Sequence, residues 1–171
     1  MQEIYPRTVV EDLFDLLPEE CQKYAKPVLM SDAEFARNWL GTRYKKKPFK
    51  KGDPEFYTMR GERMRSKSEV IIAERLYANG IPYRYECPLK AGKRIIHPDF
   101  SILRLSDRKV IYHEHCGRMD NPVYVEDMVQ RINDYNSEGI LQGDRLFFSF
   151  ETSDKPLDTR VIDNLINTCF R

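Results

Sequence analysis

Residues 97–117 read His97-Pro98-Asp99-Phe100-Ser101-Ile102-Leu103-Arg104-Leu105-Ser106-Asp107-Arg108-Lys109-Val110-Ile111-Tyr112-His113-Glu114-His115-Cys116-Gly117. Two runs rich in apolar residues flank the polar cluster Ser106-Asp107-Arg108, and this pattern predicts a β-hairpin. Each arm carries one carboxylate, Asp99 after Pro98 and Glu114 between two histidines. Strand interiors disfavour Asp and Glu, so both positions call for a chemical reason. A turn over Ser106–Lys109, or over Asp107-Arg108 alone, sets Asp99 opposite Cys116 and Glu114 opposite Ser101. Side chains alternate along a strand, so Asp99, Glu114 and Cys116 share one face. Asp99 and Glu114 are then diagonal neighbours, roughly 7 Å apart or less. Two carboxylates that close repel unless one takes up a proton or a cation lies between them. Mg²⁺ suits one or two carboxylates completed by waters and a phosphate. Such an ion activates water and stabilises charge on a phosphodiester.

Working outward, Ser66-Lys67-Ser68-Glu69 is a capping box, Ser-x-x-Glu, that opens a helix. Val70, Ile72, Ala73, Leu76 and Tyr77 are its candidate buried positions, and Asn79-Gly80 closes it. Ile81 to Pro88 predicts a first strand, Arg94 to Leu105 a second interrupted at Pro98, and Lys109 to Cys116 a third. A helix from about Tyr124 to Asn136 carries Tyr124, Met128, Ile132 and Tyr135 on one stripe. Leu146 to Phe150 is a nearly continuous apolar strand of the kind covered on both faces. Asp158 caps a last helix bearing Val161, Ile162, Leu165 and Ile166. This order of elements predicts an α/β fold with a mixed central sheet flanked by helices. Ahead of it, Val9, Val10, Leu13, Phe14, Leu16 and Leu17, stopped by Pro18, predict a short helix or packing arm. Ser31 or Asp32 caps a helix that ends at Gly41. The expected organisation is an N-terminal helical arm (1–41), a basic loop (42–64) and an α/β core (65–171).

The chain has 171 residues and a net charge of only +1, so no global basicity argues for nucleic acid. Its distribution is uneven. Arg43 to Lys67 holds ten basic and three acidic residues, a local net of +7 that leaves −6 elsewhere. Lys45, Lys46, Lys47, Lys50, Lys51, Arg65 and Lys67, interleaved with Tyr44, Phe49, Phe56 and Tyr57, form a pattern able to track a phosphate backbone. A lysine-rich solvated loop is the plainer reading of the same residues. Arg65 and Lys67 at a helix start oppose the helix dipole, which a bound phosphate would offset. Cys21, Cys87, Cys116 and Cys169 form no CxxC pair and are expected to be reduced thiols in a cytoplasmic protein. Mean hydropathy is −0.62, no run reaches the length of a membrane span, and the first residues lack the pattern of a signal peptide. Membrane partners are therefore not expected.

Ser68-Glu69, His97-Pro98-Asp99-Phe100 and His113-Glu114-His115-Cys116-Gly117, in an α-β-β-β-α-β order over roughly residues 60–170, resemble the PD-(D/E)XK nuclease superfamily. That resemblance implies a restriction-endonuclease-like core and Mg²⁺-dependent (or Mn²⁺-dependent) hydrolysis of DNA, as an endo- or exodeoxyribonuclease. It implies Asp99, Glu114 and the backbone carbonyl of His115 as metal ligands, with Glu69 as a helix-borne acid. It also implies DNA as partner and, by analogy, a homodimer. The family pattern has Lys two residues after the acid, where this chain has Cys116. In some members the basic or amide group moves to the next helix, which here carries Gln130 and Arg131. Arg131 stays protonated, so it can stabilise an anion but is a poor proton acceptor.

Plainer readings stand beside these. Glu69 can serve as the third residue of the capping box, Asp99 as a strand-entry residue, and Glu114 as an ion-pair partner of Arg131 or Arg84. His113 and His115 point away from Glu114 in an ideal strand, and Cys116 fits a small buried hydrophobe. The competing function is a nucleic-acid-binding module that kept the fold and lost catalysis. A zinc site from His97, His113, His115, Cys87 and Cys116 matches no standard spacing, and a pure interaction protein is the remaining class.

Overall fold

The computed structural model describes residues 16–25, 30–92 and 94–171. Val9, Val10, Leu13 and Phe14, expected in a helix or arm, lie outside the described residues. The chain divides into two compact units, Met1–Thr42 and Arg43–Arg171.

The first unit contains α1 (Glu19–Gln22) and α2 (Asp32–Gly41). Ser31 is the N-cap of α2, its hydroxyl accepting from the Glu34 N–H at 3.2 Å, which satisfies one of the amides a helix start leaves open.

The second unit is a mixed α/β fold. Its elements are β1 (Phe56–Tyr57), β2 (Arg63–Met64), α3 (Lys67–Ala78), β3 (Tyr83–Tyr85), β4 (Leu89–Ala91), β5 (Arg94–Ile96), β6 (Phe100–Arg104), β7 (Lys109–Cys116), α4 (Pro122–Ser137), β8 (Leu146–Phe150) and α5 (Thr159–Thr168). The central sheet has the order β3-β6-β7-β8. β3 and β6 pair antiparallel, as do β6 and β7, whereas β7 and β8 run parallel with α4 as the crossover. Ile72, Leu76, Ile102, Ile111, Phe147, Ile162, Ile166 and Phe170 form a core between one sheet face and helices α3 and α5. Tyr112, Tyr135, Ile140 and Leu146 form a smaller core on the α4 face. Alternation along β7 feeds both layers, with Ile111 and His113 to one side and Tyr112 and Glu114 to the other. Truncating Ile72 or Leu76, both fully buried, costs about 2–5 kcal/mol each.

Three expectations change. The hairpin register is displaced by two residues. Phe100 pairs with His113 and Arg104 with Lys109, leaving Leu105 to Arg108 as the loop. The cause is Asp107, which accepts from the Arg104 guanidinium at 2.7 and 2.9 Å and from the Lys109 N–H at 3.2 Å, holding a wider turn closed. One step past the last pair, Asp99 faces Glu114 directly instead of diagonally. A shift of two leaves every side chain on its expected face. Second, the stretch from Arg94 to Leu105 is two strands, because Pro98 ends β5, which pairs with β4 in a separate hairpin. Third, the basic loop contains the β1–β2 hairpin, closed by the Thr58 hydroxyl accepting from the Glu62 N–H at 3.0 Å. Gly61, at φ +78, takes the left-handed turn position. No described helix is long and apolar enough to cross a membrane.

Candidate active site

The ends of β6 and β7 bring the two sequence carboxylates together. Glu114 is fully buried on the α4 face. Its Oε1 accepts from the Tyr135 hydroxyl at 2.6 Å and its Oε2 from the Arg131 guanidinium at 2.9 Å. Asp99 accepts from the backbone N–H of His115 at 2.7 Å, and its own carbonyl accepts from the Glu86 N–H at 3.1 Å. Burial and the neighbouring Glu114 and Glu69 carboxylates push the Asp99 carboxyl well above its ordinary range. Glu114 is raised too, by burial, but Arg131, Tyr135 and the Asp99 side chain oppose that rise. The two facing carboxyls therefore resist ionising together, and Glu114 has more donors aimed at it than Asp99. Arg131 is driven further up by Glu114, and Tyr135 is kept a neutral donor by burial and by Glu114.

Glu69 stands in the first turn of α3, where the Ser66 hydroxyl caps its N–H at 3.1 Å. Its carboxylate accepts from the Arg65 N–H at 3.0 Å and from the Tyr85 hydroxyl at 2.5 Å. Its side chain thus takes the N–H one residue ahead of the Ser66 cap, and its charge is among those that raise Asp99.

Other expected residues lie elsewhere. Gln130 is exposed and donates to Asp134 at 3.0 Å, so it does not join the carboxylates. α4 turns Arg131 toward β7 and its neighbour outward, as adjacent helix positions do. Cys116, where the family has lysine, is buried, and burial with Glu114 and Asp99 pushes its thiol up to about 12. It is a neutral group, not a base. The His115 ring points to the opposite face, with Nδ1 2.9 Å from the Ser149 hydroxyl. His113 is fully buried beside Phe100 and Phe170, with neither ring nitrogen hydrogen-bonded.

Sequence reasoning missed Tyr135 and Tyr85 as hydrogen-bond donors, and missed Glu86 and Glu151 altogether. Tyr135 falls on the apolar stripe of α4 and reads as core. Glu86 is buried at φ +49 and clamps the Arg65 guanidinium at 2.6 and 3.1 Å. A charged residue in the left-handed region has no pattern that marks it beforehand.

The basic stretch separates into paired and unpaired cations. Arg65 is bound by Glu86 and Asp53 and stacks on Phe49 at 4.4 Å. Lys46 is bound by Glu62 at 2.7 Å. Arg65 and Lys46 are therefore structural cations before they are phosphate contacts. Lys45, Lys47, Lys50, Lys51 and Lys67 are exposed and form no ion pair among the described residues.

Among the described residues, no group of three or more His, Cys, Asp or Glu is gathered to hold a metal ion. Glu69 is an electrostatic neighbour of the pair. The pair itself fits a hard divalent cation. It holds two facing carboxyls, both pushed up by burial. The N–H of His115 faces Asp99, and in a strand the carbonyl of the same residue points the same way. The chain matches no family model, no curated protein and no solved structure in comparisons of the three kinds.

Proposed function

We propose that the second unit is a divalent-metal-dependent nuclease domain of the PD-(D/E)XK type that acts on DNA. The observation that carries this reading is the buried Asp99–Glu114 pair, two facing carboxyls that resist ionising together unless a further cation joins them. The helix, three-strand, helix, strand, helix order with a β3-β6-β7-β8 sheet supports a restriction-endonuclease-like core. Asp99, Glu114 and the His115 carbonyl would hold Mg²⁺ or Mn²⁺. Bound there, the ion supplies an activated water and neutralises charge on the phosphodiester. Tyr135 and Arg131 hold the Glu114 carboxylate in one orientation. Arg131, a permanent cation beside the pair, can stabilise an anionic phosphate but cannot take a proton from water. Lys45, Lys47, Lys50, Lys51 and Lys67 supply the salt-sensitive hold on the DNA backbone.

A second reading, a nucleic-acid-binding module without cleavage, is favoured by one feature: Arg131 already gives Glu114 a cation at 2.9 Å, and Cys116 replaces the family's lysine. Incubating the full chain with plasmid, duplex and single-stranded DNA in Mg²⁺ or Mn²⁺ separates the two. Cleavage that disappears in Asp99→Ala and in Glu114→Ala is the outcome expected of a nuclease. Binding without cleavage, weakened by neutralising Lys45 and Lys47, is the outcome of the second reading.

A further inference from the structure

A second set of polar residues lies on the reverse face of β7, and the proposed chemistry does not use it. Where β8 ends, the Glu151 N–H donates to the Cys116 carbonyl at 3.0 Å. The Glu151 carboxylate accepts from the Ser68 hydroxyl at 2.7 Å and from the Leu157 N–H at 3.2 Å. Its other oxygen stands 3.3 Å from Nε2 of His115, with no aligned hydrogen bond between them. Nδ1 of the same ring meets the Ser149 hydroxyl at 2.9 Å, and Ser149 is 1% exposed. The imidazole is thereby hydrogen-bonded at one nitrogen and faces the carboxylate with the other. Gly117 leaves the room: a β-carbon there would stand 3.3 Å from the Glu151 carboxylate and 3.4 Å from the His115 ring.

His115 is also the residue whose backbone N–H holds Asp99. Ser68 immediately precedes Glu69 on α3. One carboxylate thus ties the helix that carries Glu69 to the strand that carries Glu114. We infer that Glu151, with Ser149, is a positioning residue for the Asp99–Glu114 pair: it clamps the His115 ring and so fixes the His115 peptide that orients Asp99. The inference deepens the metal-site reading and rests on it for its effect on metal affinity. Partners that orient the residues bracing a metal site typically carry 10–100-fold in affinity or activity. Glu151 also lines an open cavity of about 190 Å³ with Leu157 and Val161, so truncating it does not seal a void in the core.

The test uses the full chain with Glu151→Ala, Glu151→Gln and Ser149→Ala. Three quantities are read: hydrogen exchange of the His115 amide, Mn²⁺ affinity by calorimetry, and kcat and KM for duplex DNA. Glu151→Ala is expected to speed exchange at the His115 amide by about 10-fold or more and to lower Mn²⁺ affinity and kcat by about 10–100-fold. KM for DNA should stay within about twofold. Glu151→Gln keeps the Ser68 and Leu157 contacts and should recover most of each loss. Should Glu151→Ala fail to fold, Ser149→Ala releases the ring from its other nitrogen and is expected to move the same three quantities. A lowered melting temperature, with His115 exchange and Mn²⁺ affinity as in the wild type, would overturn the inference. If the wild type neither binds Mn²⁺ nor cuts DNA, the metal-site reading fails by itself. The exchange arm still decides: acceleration confined to His115 and its hydrogen-bonded neighbours supports the clamp, and uniform acceleration across the sheet overturns it.

Discussion

His113 and Glu114 are consecutive in β7, and each is at most 1% exposed, yet the two faces of the sheet treat them in opposite ways. On the α4 face Glu114 receives a guanidinium, a phenol and a neighbouring acid. On the α3–α5 face His113 receives only aromatic rings, and burial pushes it down to about 3. The first arrangement keeps a charge in the interior with donors aimed at it; the second removes the charge. A buried ionisable group surrounded by purpose-built partners is where chemistry is to be sought, and one left bare is packing.

The largest effect expected from breaking this contrast is on the charged face. Glu114→Gln should reduce metal-dependent DNA cleavage by about 100-fold or more, measured as initial nicking rates, while the metal-free fold persists. Next comes Arg131→Met, which strips a buried carboxylate of its counter-charge. Urea unfolding should show a loss of about 3 kcal/mol, and added Mg²⁺ should restore a larger share of stability than it gives the wild type.

On the bare side, the sign of the pH effect is fixed. A histidine whose folded value is depressed contributes stability above its unfolded value, near 6.5, and loses it as pH falls toward about 3. Wild-type unfolding free energy should drop by about 2 kcal/mol more between pH 7 and pH 4 than that of His113→Phe. Equal pH slopes for the two proteins would mean that His113 is solvated. Asp99 gives the opposite sign. Its folded value is raised, so its contribution is present below the ordinary Asp range and is lost as pH rises. Asp99→Asn should therefore gain about 1 kcal/mol over the wild type at pH 7, in chelator, and nothing at pH 3. The smallest change belongs to the surface. Replacing Lys45 and Lys47 by Ala should weaken DNA binding a few-fold and lower the slope of log affinity against log salt by about 2.

Much of this architecture was legible in the residues. β7 over Lys109–Cys116 and β8 over Leu146–Phe150 follow from β-branched and aromatic runs. The helix starts follow from Ser31, Ser66 and Asp158, whose side chains make the expected caps. Face assignment survived the two-residue register shift because the strand period is two. The register itself was not legible, since it depends on Asp107 reaching Arg104 across the loop. Nor were the short β1, β2 and β4 strands, which are too brief for alternation to show. In the candidate site, Glu114 betrayed itself by sitting inside β7, and Asp99 by standing just ahead of β6. Tyr135 and Glu151 acquire their roles only after α4 docks and β8 joins β7, which no local pattern encodes.

Glu86 holds a backbone conformation that glycine would adopt at lower cost, and its carboxylate neutralises Arg65. A change to glycine at this position would ease the backbone and leave Arg65 with Asp53 as its remaining carboxylate partner. Under the proposed nucleic-acid reading, the Glu86 restraint on Arg65 would limit the positive charge the lysine row presents to a polyanion.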